Sequence, residues 1–292
     1  MRGPTQYLPF EKPATTRVPA ARAALSPEER ESLNSLITHF NADNFKLPSP
    51  LGPTALTDVE RCYWSEEQFL RVLRATKWNR KSALNRALET ANWRRDFGVE
   101  ELSAETIEKE ALSGKEIVLG FDNEQRPVLY LVSFRCSTPE MGRMYTDLYA
   151  LSQHPNRQNT APSHKHIEFV VWCLEVSLPP PPSPSLADPS NPQRTIDLLP
   201  ASNPAIDTIC LAIDLKASRD DGAKAPPIAI GEARQVLHVL QTFYCERLGR
   251  AVCVRVPSLF WLFFKVISPF VDPVTKEKIR FNEDARKVRL YR

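Results

Sequence analysis

Glycine is scarce here, with nine in 292 residues, and methionine scarcer still, with three. None of the glycine-bearing motifs that cradle phosphates or expose a nucleophile is present: no GxGxxG, no Walker loop and no GxSxG; HExxH is missing too. Dinucleotide binding, P-loop chemistry, zincin-type proteolysis and α/β-hydrolase catalysis therefore lose their sequence signatures. No apolar run reaches the length of about 20 residues that a bilayer crossing requires. The start, Met1-Arg-Gly-Pro-Thr, has no apolar stretch of the kind a secretion signal carries. The formal net charge is only +3, so no broad nucleic-acid footprint is implied. The six cysteines (62, 136, 173, 210, 245, 253) form no CxxC and no regular spacing, and four lie in apolar runs where a thiol behaves as a small hydrophobe. These absences together lead us to expect a soluble, cytoplasmic protein with reduced thiols and no cofactor.

Proline is plentiful by contrast, with 26 residues concentrated in the first 53 positions and in 179–204, stretches unable to carry regular helix or central strand. Composition places 1–25 outside ordered structure. Ser26-Pro-Glu-Glu29 reads as a helix start, with Ser26 as N-cap, Pro27 at N1 and Glu29 at N3, and that helix should run to about Phe40. A Pro/Gly linker follows at 47–53. Thr57-Asp58 opens a second helical region, in which Phe69, Leu70 and Leu73, then Ala83, Leu84, Ala87, Leu88 and Ala91, recur at helical spacing up to Gly98. Arg71, Arg74, Lys77, Arg94 and Arg95 are read as solvated faces. Beyond residue 110 the pattern alternates. A hairpin is expected from Ile117–Phe121 and Val128–Leu131 around Asp122–Pro127. An apolar helix follows at 167–175, then a strand buried on both faces at 208–215, a helix at 231–244 and a strand at 252–256. Strand, helix, strand at this spacing implies an α/β sheet.

Residues 245–284 combine the most distinctive features. A turn carries the charged pair Glu246 and Arg247, closed by Gly249, and a β-branched run leads to Pro257. Ser258–Val271 then has eleven apolar residues in fourteen, with Lys265 inside, followed by the polar, basic Asp272-Pro-Val-Thr-Lys-Glu-Lys278. Two readings of the apolar run stand side by side: a buried helix behind a strand, or a flap over an apolar cavity able to meet a membrane surface. His164 and His166 lack partners at ligand spacing other than Glu168, so no metal is assigned. Asp214, ending the 208–215 strand, is either a functional group or a cap for the next turn.

The strings Glu246-Arg-Leu-Gly-Arg250, Pro257-Ser-Leu-Phe-Trp261 and Pro269-Phe-Val-Asp-Pro-Val-Thr-Lys-Glu-Lys278 resemble the carboxy-terminal half of CRAL-TRIO domains, in the branch of fungal phosphatidylinositol-transfer proteins. Phe69-Leu-Arg-Val-Leu-Arg-Ala-Thr-Lys-Trp78, with Trp93-Arg-Arg-Asp-Phe-Gly98, is similar to the helical lead-in of that family, although Thr76 stands where its pattern has arginine. The resemblance implies an α/β fold with a mixed, mainly parallel sheet flanked by helices. An apolar pocket would be closed by a gate helix, and a small all-helical domain would precede it. The implied organisation is an N-terminal extension (1–55), a helical domain (56–100) and a lipid-binding domain (110–292).

Two stretches interrupt the resemblance, 132–153 and 176–193. Both begin Val-Ser and end in Gln, and the second carries prolines at 179–182, 184, 189 and 192. Val-Ser can be written GTGAGT, a splice donor, and Gln CAG, an acceptor, so both read as in-frame introns retained in the gene model; genuine surface loops are the alternative. The family also continues with further strand and helix after Asp284, so the chain reads as ending early.

By resemblance, Lys77, Glu246, Arg247, Thr275 and Lys278 bind an inositol phosphate head group, while Phe260, Trp261, Phe263, Phe264 and Ile267 form the gate and acyl pocket. The expected activity is non-catalytic transfer of phosphatidylinositol between membranes. Contact with the membrane surface would be transient and peripheral, no nucleic acid would be bound, and a second lipid ligand is left unidentified. The alternatives are a sterol or other hydrophobic ligand in the same pocket, or a regulatory module that binds a partner protein.

Overall fold

The computed structural model describes residues 24–49, 52–111, 116–122, 124–132, 163–177, 206–214, 230–254, 256 and 258–281. Its first helix, α1 (Pro27–Phe40), starts as the sequence dictates. Ser26 Oγ accepts the Glu29 amide at 3.2 Å and Glu29 Oε2 accepts the Ser26 amide at 2.8 Å, so two otherwise orphaned donors are satisfied reciprocally. Thr57 and Glu60 repeat the device at α2 (Asp58–Tyr63). Then come α3 (Glu66–Ala75) and α4 (Arg80–Phe97), the latter ended by Gly98 at φ 71°. A 3-10 turn (Val99–Glu101) and α5 (Ala104–Ala111) lead to the sheet.

One core holds the helical part together. Leu33, Leu36 and Phe40 of α1 meet Leu47, Leu56, Trp64, Phe69 and Leu73 and the alanine stripe of α4 (Ala83, Ala87, Ala91). The boundary expected at 55/56 therefore cuts through a packing unit. The expected linker is also fastened down. Leu47 and Thr54 exchange two backbone hydrogen bonds of 2.9 Å. Arg95, expected on a solvated face, instead binds Glu60 through two bonds of 2.7 and 2.8 Å and reaches the Leu47 carbonyl at 3.1 Å.

The sheet has the order β1-β2-β3-β4-β5. β1 (Glu116–Phe121) and β2 (Pro127–Val132) form the expected antiparallel hairpin; β3 (Ile209–Asp214), β4 (Leu248–Val254) and β5 (Ile279–Phe281) add in parallel. At the hairpin turn Asp122 Oδ1 accepts the Glu124 and Arg126 amides while Oδ2 binds Arg126 Nε at 2.8 Å. Helices α6 (Ser163–Ser177) and α7 (Ile230–Thr242) complete the layer, packing Ile167, Val170, Val171, Leu174, Val239 and Phe243 on Leu129, Ile209, Leu211 and Ala251. Val128, Tyr130, Cys210 and Val252, of opposite parity, form a second buried cluster. Alternate residues of β2, β3 and β4 thus bury both faces, as the continuous apolar runs require. The apolar run at 258–271 becomes α8 (Ser258–Ile267) and a 3-10 turn (Ser268–Phe270), and the basic segment becomes α9 (Pro273–Lys278).

The segments 132–153 and 176–193 lie outside the described residues apart from their first positions. Val132 ends β2, and α6 runs two residues past Glu175 to Ser177, which is buried.

Candidate functional site

The turn after α7 directs three consecutive side chains to three places. Cys245 packs into the core of the helical part. Glu246, held at φ 59°, lies beside Lys278, the last residue of α9, with Lys278 Nζ 3.8 Å from Glu246 Oε2. Arg247 turns inward, donating to the Asp207 carbonyl at 3.2 Å and to Gln68 Oε1 at 3.3 Å. Burial, then the charge of nearby Arg71, pushes the Arg247 guanidinium down to about 10. Of the five candidate head-group residues, Glu246 and Lys278 are therefore in contact. Thr275, half-buried, stands three residues before Lys278 on the same helical face. Arg247 is instead engaged with the helical part. Lys77 is exposed on the α3–α4 turn at φ 52°, with no ion pair to Glu246.

Gly249 lets this turn approach the hairpin. A Cβ there would fall 2.5 Å from Arg126 Cδ and 2.8 Å from Thr208 Oγ1. Asp272 caps α9 through Oδ1, which accepts the Val274 amide at 2.8 Å and the Thr275 amide at 3.3 Å.

A polar cluster that the sequence reading missed joins the helical part to the sheet. Arg94, only 3% exposed, binds Glu175 through Nη1 at 2.8 Å and Glu100 through Nη2 at 2.7 Å, and its guanidinium carbon sits 3.6 Å from the centroid of the Tyr63 ring. Tyr244 donates its hydroxyl to Glu175 at 2.6 Å. Burial works against the charge of Glu175, but Arg94 and the Tyr244 hydroxyl hold its carboxyl below the usual range. Burial, and then that carboxylate, pushes the Tyr244 hydroxyl well above the tyrosine range. Next to it Arg71 binds Asp207 at 2.9 Å. Arg71 and Arg94 are thus buried, correcting the expectation of solvated faces. One signal was available for Arg94: it continues the buried stripe of Ala87 and Ala91 at helical spacing.

Helix α8 is half-clad. Phe260 and Phe264 face Phe281 of β5, with ring centroids 6.1 and 4.9 Å away, and Trp261 lies 5.0 Å from the same ring. Yet Trp261 is 45% exposed, Leu262 61% and Val266 47%, and Val274 of α9 adds 49%. So many large apolar groups facing water do not suit the buried-helix reading of the run. The side chains of Phe263, Ile267 and Asp214 lie outside the described residues. Among the described helices none is long and apolar enough to cross a membrane. His166 Nδ1 is 3.5 Å from Glu116 Oε1, and among the described residues no group of three or more His, Cys, Asp or Glu could hold a metal ion.

Comparison with known proteins follows the same outline. A CRAL-TRIO domain-containing protein of Schizosaccharomyces pombe is 37% identical over 230 residues, 79% of this chain but 18% of that protein. The phosphatidylinositol transfer protein PDR17 of Saccharomyces cerevisiae is 30% identical over 278 residues, covering 89% of this chain and 67% of its own length. The crystal structure of Sfh5 shares the fold, with a TM-score of 0.55 at 15% identity, over 92% of this chain and 85% of that one. The CRAL/TRIO domain profile matches residues 112–291, and the chain belongs to the CRAL/TRIO domain family.

Proposed function

We propose that this protein binds phosphatidylinositol in an apolar pocket and carries it between membranes, without catalysing a covalent reaction. The observation that carries the reading is the Glu246–Lys278 pair, 3.8 Å apart, which joins the turn before β4 to the segment that continues from an apolar helix with an exposed Trp261 and Leu262. A phosphorylated inositol offers an anion and several hydroxyls. Lys278 supplies a cation, Thr275 a hydroxyl and Glu246 an acceptor, while Lys77 would reach the ligand from the helical part. Glu246 and Lys77 both hold a left-handed backbone although neither is glycine, and such strained positions concentrate at functional sites. For the acyl chains, the cavity must replace bilayer contacts worth about 0.8 kcal/mol per CH₂. The α8 face that includes Trp261, Leu262 and Val266 would meet the membrane surface while the lipid moves, giving transient peripheral association from the cytoplasmic side. PDR17, as a phosphatidylinositol transfer protein, supports the choice of ligand. A second lipid could share the pocket.

Native mass spectrometry of the purified chain, incubated with mixed phospholipid and sterol vesicles, tests the reading. A bound mass equal to phosphatidylinositol is the expected result. A sterol mass alone would replace it with the sterol-carrier reading, and an empty chain would leave the regulatory one.

A further inference from the structure

We propose that Gln241 is a positioning residue that fastens the carboxyl end of the apolar helix to the helical part, and that breaking this fastening is a step in lipid exchange; the second half rests on the function proposed above. The last turn of α7 is unusually well anchored. Arg86 of α4 donates from Nε to the Thr242 carbonyl at 3.2 Å and from Nη2 to the Gln241 carbonyl, occupying acceptors that a helix end leaves open. Phe243 stacks on Trp93 of α4 with centroids 4.0 Å apart and planes within 5°, and Cys245 enters the helical core. The end of α7 is thereby a post set in the helical part.

From that post the Gln241 side chain reaches out. Its Oε1 accepts the Asp272 amide at 2.8 Å, in an exposed setting. Asp272 is where the apolar helix and its 3-10 turn give way to α9, and its carboxylate caps the helix that carries Thr275 and Lys278. This hydrogen bond thus bears on both the foot of α8 and the start of the segment holding Lys278. Neighbouring Val271, 5% exposed, seats the foot, but the amide of Asp272 takes its acceptor from Gln241. A hydrogen bond open to water is strong enough to bias a position and weak enough to open repeatedly, shifting an equilibrium by about two- to tenfold. That is the range a reversible closure needs.

The test compares Gln241→Ala and Gln241→Glu with the unaltered full chain. Hydrogen–deuterium exchange is followed in peptides covering 268–276, with 80–97 as the internal control, and release of a fluorescent phosphatidylinositol from preloaded protein to acceptor vesicles is timed. Gln241→Ala should raise exchange across 268–276 about two- to tenfold and quicken release by a similar factor, with saturation binding unchanged. Gln241→Glu, which keeps an acceptor oxygen, should stay near the unaltered protein. Unchanged exchange in Gln241→Ala, or a glutamate variant as loose as the alanine one, overturns the fastening. Looser exchange with unaltered release overturns its role in transfer. If the unaltered chain takes up no phosphatidylinositol, the proposed function falls, and the exchange data still judge the fastening alone.

Discussion

Lys278 closes α9 with its ammonium 3.8 Å from the carboxylate of Glu246, a residue 32 positions earlier whose backbone is left-handed. Both side chains keep partial access to water, so their attraction contributes little to stability, at most about 1 kcal/mol. A strained, partly exposed charge pair that does not hold the fold together is available to a ligand.

The double variant Glu246→Ala, Lys278→Ala should therefore fold normally and lose phosphatidylinositol transfer. Chemical denaturation should place it within about 1 kcal/mol of the unaltered chain, and vesicle-to-vesicle transfer should fall to background. Undiminished transfer by the folded double variant would remove these residues from the site.

Arg94 presents the opposite case, a buried cation with two carboxylates and an aromatic face. Arg94→Ala leaves Glu175 and Glu100 without their counter-charge and should cost about 3–5 kcal/mol, read by urea denaturation. The pH dependence has a definite sign. Glu175 has a folded pKa below its unfolded one, so its contribution is present above the ordinary carboxylate range and fades as pH falls through the folded value. The stability gap between the unaltered chain and Glu175→Gln should accordingly be widest near neutrality and shrink in acid.

Gly249→Ala forces a Cβ into the space of Arg126 and Thr208. Arg126 cannot simply swing aside, since Asp122 and Glu124 hold it at 2.8 and 2.7 Å. A loss of about 1–3 kcal/mol is expected. Thermal melts of the alanine substitution in an Arg126→Ala background should recover part of that loss; equal losses in both backgrounds would show that Arg126 is not the obstacle.

On α8, Leu262→Ser removes apolar surface that already faces water, whereas Trp261→Ser also gives up the packing of its ring on Phe281. Stability should change by about 0.5 kcal/mol for Leu262→Ser and by about 1 kcal/mol more for Trp261→Ser, while co-sedimentation with phospholipid vesicles should drop several-fold for both. Vesicle binding equal to that of the unaltered chain would leave the exposed face without a membrane role.

The segments 132–153 and 176–193 are open to a direct test at the nucleic-acid level. Reads of the spliced transcript should lack both as the main product, and a chain without residues 132–153 and 176–193 should melt higher and be more soluble. Transcripts that keep both segments would establish them as genuine insertions.

What could be read from the residues alone was mostly local. Ser26-Pro-Glu-Glu announces its capping box because donor and acceptor lie three residues apart, and Thr57-Asp58 marks the next helix start. The hairpin around Asp122 follows from turn chemistry, and the doubly buried strand at Cys210 from a continuous apolar run. Arg71 and Arg94 look solvated in the sequence because Asp207 and Glu175 are 136 and 81 residues away; nothing in a helical window reports a carboxylate at that distance, and Glu100, six residues from Arg94, lies beyond the end of its helix. The place of α1 and Leu47 in the helical core escaped for a similar reason, since a proline-rich stretch looks like a linker until its contacts are seen. That Glu246 and Lys278 belong to one site is legible only through family resemblance, and their contact only in the structure, because spacing does not bring a turn to the end of a later helix. Arg247, adjacent in sequence and grouped with them, points elsewhere.

That divergence of neighbours makes length itself a constraint at 245–247. Cys245, Glu246 and Arg247 serve the helical core, the Lys278 contact and the Asp207 contact in turn. A substitution there can be judged one side chain at a time. A single-residue insertion or deletion would move all three by one place, exchanging a thiol, a carboxylate and a guanidinium among environments each suited to another. The turn should thus tolerate point changes at Glu246 far better than any change in the number of its residues.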